Sequence, residues 1–436
     1  MTGVGRSATH PLVAMMRFQR LSDWLAWQET LHPTEIDLGL ERLRPVVRRM
    51  GPERIAPVII TVGGTNGKGS VVRLMEAICR AAGLRTGCYT SPHLLRYNER
   101  IRIDGREIDD DSLCRLFAEV DDARDDESLT YFEFGTLAAF AGIRRAAVDV
   151  ALLEVGLGGR LDAVNAIDPD VAVITSVGID HVDWLGPDRE SIAREKAGIF
   201  RPGRPAVCGD PDLPAALASA AARLGAGLLH VGRDFRWCRT GERWHFAGAS
   251  LEMADLPMPA APGEVQLGNA ATALQALASA GLDHALSRAA VETGLRQATL
   301  PGRLQRVPGE VEWVLDVGHN PQSARALAAV LAADPVDGRR LTVLGMLRDK
   351  DVEQVAAALA AGTDAWYVAG LPGHRGQGAA ETARRLGAVL PDARTRTFPS
   401  VTDACRRARA DARPGDRILV AGSFLTVAEA LRTGLY

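Results

Sequence analysis

Six cysteines are spread over 436 residues, and none forms a CxxC pair or a zinc-like spacing. Cys79, Cys88, Cys114, Cys208, Cys238 and Cys405 therefore exclude a disulfide framework and are expected to be small buried apolar residues in a reducing compartment. No apolar run is long enough to cross a bilayer. Residues 1–16 lack the apolar stretch of a signal peptide and read as a loose lead-in. Net charge is only −3 and the pI about 6.3, so no global field recruits nucleic acid or an acidic membrane. A polyanionic ligand has to be met by local donors. Repeats and low-complexity arrays are missing too. What is present is 47% hydrophobic and 24% charged residues, the composition expected of a soluble cytoplasmic enzyme. The length exceeds one ordinary core, so two or three domains are expected.

The most informative stretch covers 58–70, Val-Ile-Ile-Thr-Val-Gly-Gly-Thr-Asn-Gly-Lys-Gly-Ser. A β-branched run ends at Gly63 and a glycine-rich turn carries Lys68. Val71, Leu74, Met75, Ile78 and Ala82 then recur at helical spacing until Gly83. Strand, glycine turn and helix in that order build a phosphate cradle from converging N–H groups, a helix N-terminus and one point charge. The strict Walker pattern is not met, because Val62 stands where its first glycine belongs and Gly69 follows the lysine. A glycine-rich turn alone is most often a tight connection; its context here favours nucleotide binding. Hydrolysis, phosphoryl donation and conformational switching stay open on these residues.

Two helices are expected around 21–27 and 38–50, with Asp37 at the start of the second. Strands are expected at 86–90, 149–154, 171–177 and 204–208, and a hairpin over 100–108 turning at Asp104-Gly105. Helices fall at 110–122, 133–145 and 189–200. An irregular β excursion spans 228–260, a helix runs from Asn269 to about 280, and 299–304 carries linker punctuation. Strands near 313–317, 341–345, 365–369 and 417–421 then alternate with alanine-rich helices. The fold class is α/β, with a parallel-sheet, phosphate-loop domain over 1–300 and a smaller α/β domain over 301–436. Ligands of parallel sheets gather beyond the carboxyl ends of the strands. Four strands here run out into Lys68, Ser91, Glu154 and His181, and that coincidence outweighs any one of them.

Singly, each candidate has a plain alternative. Glu154 can pair with a cation, His181 can be a structural donor, and Lys196 can be a solvated helix lysine. Asn269 can cap its helix, Arg303 can pair with an acid in the hinge, and Asp316 can simply end a strand. Together, Ser91, Glu154 and His181 offer hard oxygens and one imidazole beside a triphosphate. That set suits Mg²⁺, whose octahedron water and phosphate oxygens complete, and a metal there offsets charge during phosphoryl transfer. An arginine at the hinge completes a nucleotide site when domains close.

The chain resembles the folylpolyglutamate synthase/dihydrofolate synthase family of the Mur ligase superfamily, most of all its bifunctional bacterial members. The resemblance rests on Gly64-Thr-Asn-Gly-Lys-Gly-Ser70, Thr90-Ser-Pro-His-Leu94, Leu129-Thr-Tyr-Phe-Glu-Phe134 and Glu154-Val-Gly-Leu-Gly-Gly-Arg-Leu-Asp162. It continues through Asp180-His-Val-Asp-Trp-Leu-Gly186, Arg194-Glu-Lys-Ala-Gly198, Gly268-Asn-Ala-Ala-Thr272, Leu300-Pro-Gly-Arg303, Leu315-Asp-Val-Gly-His-Asn-Pro321 and Gly422-Ser-Phe-Leu-Thr426. It implies a P-loop ATPase domain followed by a Rossmann-like one. Thr65, Asn66, Gly67, Lys68, Gly69 and Ser70 would hold ATP phosphates, with Asn269, Arg303 and Asp316 as the other ATP contacts. Ser91, Glu154 and His181 would ligate Mg²⁺ at two sites. Lys196 resembles the family's carbamylated lysine, so Lys68, Glu154, His181 and Lys196 form the implied catalytic set. Asp37, Leu38, Gly39 and Leu40, Thr130, Tyr131, Phe132 and Glu133, and Leu161, Asp162 and Ala163 match the pteroate pocket. Val164 and Val182 stand where relatives often carry threonine.

The implied reaction is ATP-dependent ligation of L-glutamate to dihydropteroate and to the γ-carboxylate of folates through an acyl phosphate. The implied partners are small molecules only, and a monomer is expected. The alternatives are a monofunctional folylpolyglutamate synthase or a Mur-type ligase acting on a UDP-sugar peptide. From other classes, a P-loop switch does not need the second domain. A dehydrogenase fits worse, because Lys68 suits a terminal phosphate.

Overall fold

An apolar run buried on both faces makes the centre of a parallel sheet, and Val58–Gly63 (β1) is such a run. The computed structural model describes residues 16–51 and 54–436, so the expected lead-in lies, save Met16, outside the described residues. After β1 come Thr86–Tyr89 (β2), Ile101–Ile103 (β3), Arg106–Glu107 (β4), Val150–Glu154 (β5), Val171–Ile174 (β6), Pro205–Cys208 (β7) and Gly227–His230 (β8). They form one sheet in the order β4-β3-β2-β5-β1-β6-β7-β8, with β1 parallel to β5 and β6. Antiparallel pairing is confined to the edge, where β3 pairs with β2 and β4 with β3. Alternate residues serve opposite faces. Ile60 and Val62 pack under the helices Lys68–Ala81, Glu264–Ser279 and Arg288–Gln297, while Ile59 packs toward Asp110–Arg124 and Tyr131–Ala146.

Arg236–Thr240 (β9), Arg243–Ala247 (β10) and Glu252–Pro257 (β11) make a separate antiparallel sheet. The second large sheet contains Gln305–Val307 (β12), Glu312–Asp316 (β13), Arg340–Leu344 (β14), Ala365–Ala369 (β15), Thr395–Phe398 (β16) and Arg417–Ala421 (β17). Its order is β12-β13-β17-β14-β15-β16, parallel except for β12. Helices cover both faces.

Several expectations need correction. The second N-terminal helix is Leu43–Met50 rather than 38–50. A longer helix would place Pro45 in its interior, whereas a start at Leu43 leaves it in the first turn, where no N–H is needed. Asp37 therefore caps nothing and instead accepts from Arg42 Nη1 at 2.6 Å. Strand β6 stops at Ile174, and beyond it the Thr175 hydroxyl donates to the Asn66 carbonyl at 2.6 Å. The helix at 189–200 is α-helical only over Arg189–Lys196. The helix expected from Asn269 begins at Glu264, so Asn269 lies inside it. Cys238, expected to be buried, is exposed on β9. The hairpin turn does fall at Asp104-Gly105, both with positive φ (50° and 74°). Strands β12 and β16, short and partly exposed, went unanticipated, as did the helix Arg288–Gln297. Among the described residues no helix is long and apolar enough to cross a membrane.

Candidate active site between the two sheets

Both large sheets direct the carboxyl ends of their strands at one cleft of about 600 Å³. From the first come Gly64–Gly69 after β1, Ser91 after β2, Glu154 at the end of β5, and Asp180 and His181 after β6. From the second come Gly318 and His319 after β13, Leu347 and Lys350 after β14, 372–375 after β15, and 423–425 after β17. Strands β2, β5, β1 and β6 are consecutive neighbours, which brings Lys68, Ser91, Glu154 and His181 to one rim. A hollow of about 720 Å³ opens around Arg396 and Arg407, but Asp411 already pairs with both arginines.

The phosphate loop depends on two glycines. Gly64 (φ 144°) abuts Thr175, whose hydroxyl would sit 1.9 Å from an added Cβ. Gly67 (φ 87°) caps the helix Lys68–Ala81, and a Cβ there would stand 2.6 Å from Asn269 Oδ1. Thr65 fastens the loop to the β6 exit by donating to Gly178 O at 3.1 Å and accepting Gly178 N–H at 2.9 Å. Lys68 Nζ curls over the loop to the carbonyls of Gly64 and Thr65 at 3.1 and 3.3 Å. Burial lowers the Lys68 pKa against the opposing pull of Glu154.

Glu154 is 5% exposed and its Oε2 accepts only the Ser91 N–H, at 3.2 Å. Burial raises its carboxyl, opposed by Lys68 and that N–H. His181 takes a left-handed turn (φ 53°), a conformation costing a non-glycine residue about 1–2 kcal/mol. Burial and Lys350 push its imidazole down to about 4, leaving it neutral with a lone pair to offer. Among the described residues no three His, Cys, Asp or Glu side chains converge on one point. The sparse donors Ser91, Glu154 and His181 fit a small hard cation that keeps most of its shell for water and phosphate.

Lys196 ends its helix and is only 3% exposed, not solvated. Burial and Lys68 push it down to about 7. The glycine-rich turn 155–162 serves close packing: a Cβ on Gly159 would meet the Glu195 carbonyl at 2.9 Å, and Arg160 N–H donates to that carbonyl at 2.8 Å. Asp162, pushed up to about 6 by burial, accepts from Leu157 N and Val164 N at 2.8 and 2.9 Å.

The same cleft is also lined by Asp37, Leu38, Thr130, Tyr131, Phe132, Glu133, Leu161, Asp162 and Ala163. Thr130 and Glu133 exchange caps at the start of the helix Tyr131–Ala146, and Arg42 bridges Glu133 and Asp37 at 3.2 and 2.6 Å. Gly39, Leu40, Ser70, Asn269 and Asp316 do not line the cleft. Leu40 is core. Ser70 and Arg303 border a small adjoining cavity. Asp316 accepts Leu304 N–H and Gly318 N–H at 2.9 and 2.8 Å, which ties the hinge to β13. Arg303 does line the cleft, 5.2 Å over the Phe424 ring.

Sequence reasoning missed Arg42, Arg100, Asp180, His319, Lys350 and Ser423. Arg100, 9% exposed, donates to His93 Nδ1 at 2.9 Å and lies near the rings of Tyr97 and Tyr131 at 5.2 and 5.8 Å. One compositional signal was available for Lys350: of 51 basic residues only three are lysine, Lys68, Lys196 and Lys350, and all three line this cleft.

Residues 62–212 match the Mur ligase middle domain, and residues 302–424 match the Mur ligase glutamate ligase domain. The dihydrofolate synthase/folylpolyglutamate synthase of Escherichia coli is 46% identical over 94% of both chains. That of Mycobacterium tuberculosis is 35% identical over 80% of this chain and 76% of its own. The E. coli FolC structure in complex with DHPP and ADP superposes with a TM-score of 0.90 over 95% of this chain and 97% of that one, at 46% identity. A bifunctional Yersinia pestis enzyme complexed with AMPPNP and Mn ion gives 0.88 over 95% and 97%, at 47% identity. On whole-length identity and shared fold, the chain belongs to the dihydrofolate synthase/folylpolyglutamate synthase family of Mur ligases.

Proposed function

We propose that this chain is an ATP-dependent ligase joining L-glutamate to the carboxylate of dihydropteroate, and further glutamate to the γ-carboxylate of folates. The observation that carries this reading is a rim of charged groups without ionic partners among the described residues, Lys68, Glu154 and Lys196, lining one cleft together with Tyr131 and Phe132. Charges kept unpaired in a half-buried site are offset when a charged ligand arrives. Thr65–Gly69 would cradle the ATP phosphates, with Arg303 closing the site from the hinge. The pterin and its aminobenzoate would lie along Asp37 and Leu38, Thr130–Glu133 and Leu161–Ala163. The lobes are 1–300 and 301–436, and the second would hold the glutamate. The enzyme would work as a cytoplasmic monomer.

Amide formation from a carboxylate needs a leaving group better than oxide. The acceptor carboxylate oxygen attacks the γ-phosphorus, the bond to the β-phosphate oxygen breaks, and ADP leaves. Lys68 stabilises the charge as it moves onto that oxygen. The glutamate nitrogen, as the free amine, then attacks the acyl carbon, the C–O bond to phosphate breaks, and the proton lost from nitrogen leaves with the released phosphate. Mg²⁺, held by Ser91, Glu154 and His181, would neutralise phosphate charge. With its pKa near 7, Lys196 is partly free amine at neutral pH. That amine can add CO₂ with loss of a proton, giving a carbamate whose negative charge would serve the metal site. Keeping water out of the closed cleft protects the acyl phosphate.

Incubating the enzyme with ATP, glutamate and either dihydropteroate or tetrahydrofolate tests this reading. ADP, phosphate and a glutamylated product are expected with both acceptors. ATP turnover without such a product overturns the ligase reading, and product from tetrahydrofolate alone reduces it to one activity.

A further inference from the structure

In a chain where arginine supplies nearly every cation, a lysine marks a place where a compact ammonium is needed. Lys68 and Lys196 have roles in the reading above, and Lys350 has none. It belongs to the second lobe and is 5% exposed. Its Nζ crosses the cleft to Asp180 Oδ1 at 2.6 Å and also meets Asp349 Oδ2 at 3.3 Å. The same Asp180 Oδ1 accepts the backbone N–H of His181 at 2.9 Å, in the residue whose φ is left-handed. Asp180 Oδ2 accepts Asn320 Nδ2 at 3.2 Å and lies 3.5 Å from His319 Nε2. Asn320 exchanges amide hydrogen bonds with Asn66 of the phosphate loop, at 2.9 and 3.2 Å. One carboxylate of the first lobe is thus held by three residues of the second while it holds the turn that aims His181.

We propose that Asp180 and Lys350 are positioning residues for the ligation: one carboxylate oxygen takes both the ammonium of the docked second lobe and the His181 N–H, so the imidazole is set only when the lobes are closed. The proposal rests on the ligase reading for the task of His181, but not for the contact. An arginine would not substitute. A guanidinium spreads its donors over a plane, and seating it between Asp180 and Asp349 would hold the lobes apart.

The test uses the full-length protein carrying Lys350→Met, Lys350→Arg or Asp180→Asn, measured for kcat, for nucleotide affinity with the ATP analogue AMPPNP, for melting temperature and for radius of gyration by small-angle scattering. For Lys350→Met, kcat is expected to fall about 100-fold, with AMPPNP affinity within about threefold of wild type, as a misplaced catalytic group predicts. Its radius of gyration should exceed that of the wild type. Lys350→Arg should recover less than about a tenth of the lost rate, and Asp180→Asn should behave like Lys350→Met. A kcat for Lys350→Met within about threefold of wild type overturns the proposal, as does full activity in Lys350→Arg. A loss of AMPPNP affinity equal to the loss of kcat also overturns it, because the nucleotide site itself would then be damaged. A wild type that makes no glutamylated product overturns the ligase reading instead. The radius of gyration of Lys350→Met then decides the contact: unchanged overturns it, larger sustains it.

Discussion

Along the rim of the first sheet, Lys68 donates to two carbonyls of its own loop, Glu154 accepts one backbone N–H, and Lys196 is buried with Lys68 as its strongest charged influence. The second sheet treats its buried cations differently. Lys350 has Asp180 and Asp349, and Arg417 has Glu312 at 2.5 Å and Asp334 at 3.0 Å. Unpaired buried charge destabilises the empty protein and persists where a ligand offsets it. Paired buried charge holds geometry and is costly only when one member is removed. Under the proposed function, the first rim receives phosphate and metal, and the second places what the first has bound.

That contrast breaks most readily at Lys68. Lys68→Ala should lower kcat/KM about 1,000-fold or more, the scale of a lost transition-state donor, while the melting temperature stays equal or rises because a desolvated ammonium is gone. A clear drop in melting temperature would mean that the charge is structural after all. Glu154→Gln is the next largest: about 100-fold in kcat is expected, again without loss of stability, since burial disfavours the ionised form of this carboxyl. Arg417→Ala probes the other rim with the opposite signature. Its partner Glu312 is partly exposed, so chemical denaturation should show a loss of about 2–3 kcal/mol, with kcat per folded molecule unchanged.

The smallest effect concerns Lys196 and pH. Its ordinary value is 10.5 and burial brings it to about 7 in the folded chain. Between those values the unfolded chain binds more protons, so stability must rise with pH. In CO₂-free buffer the wild type should gain melting temperature relative to Lys196→Met between pH 7 and pH 9. A flat difference would place Lys196 in water. Admitting CO₂ near neutral pH should stabilise the wild type and leave Lys196→Met unaffected.

Much of the first rim was legible beforehand. The β-branched run, the glycine turn and the helical spacing after Lys68 are local patterns, and the four polar strand exits follow from them once the strands are parallel. Asn269 was visible as a candidate but misplaced at a cap, because the helix start at Glu264 lacks a side-chain cap signal. Asp180 and Lys350 were invisible as a pair: 170 residues separate them, and neither has a local pattern to betray it. Arg42, which joins Asp37 to Glu133, likewise lies 91 positions from Glu133. The scarcity of lysine was the one compositional clue, and it points at Lys350 as plainly as at Lys68.

Local order along the chain determined which segments are strands and helices, where the phosphate loop sits and which side-chain chemistries stand at the strand ends. These follow from backbone sterics and from hydrophobic spacing over a few residues. Only the tertiary structure decided which charges are paired, which are left waiting, and that Lys196 lies near neutrality instead of in water. Protonation and ion pairing depend on burial and on distances between groups remote in the chain, and folding alone sets both.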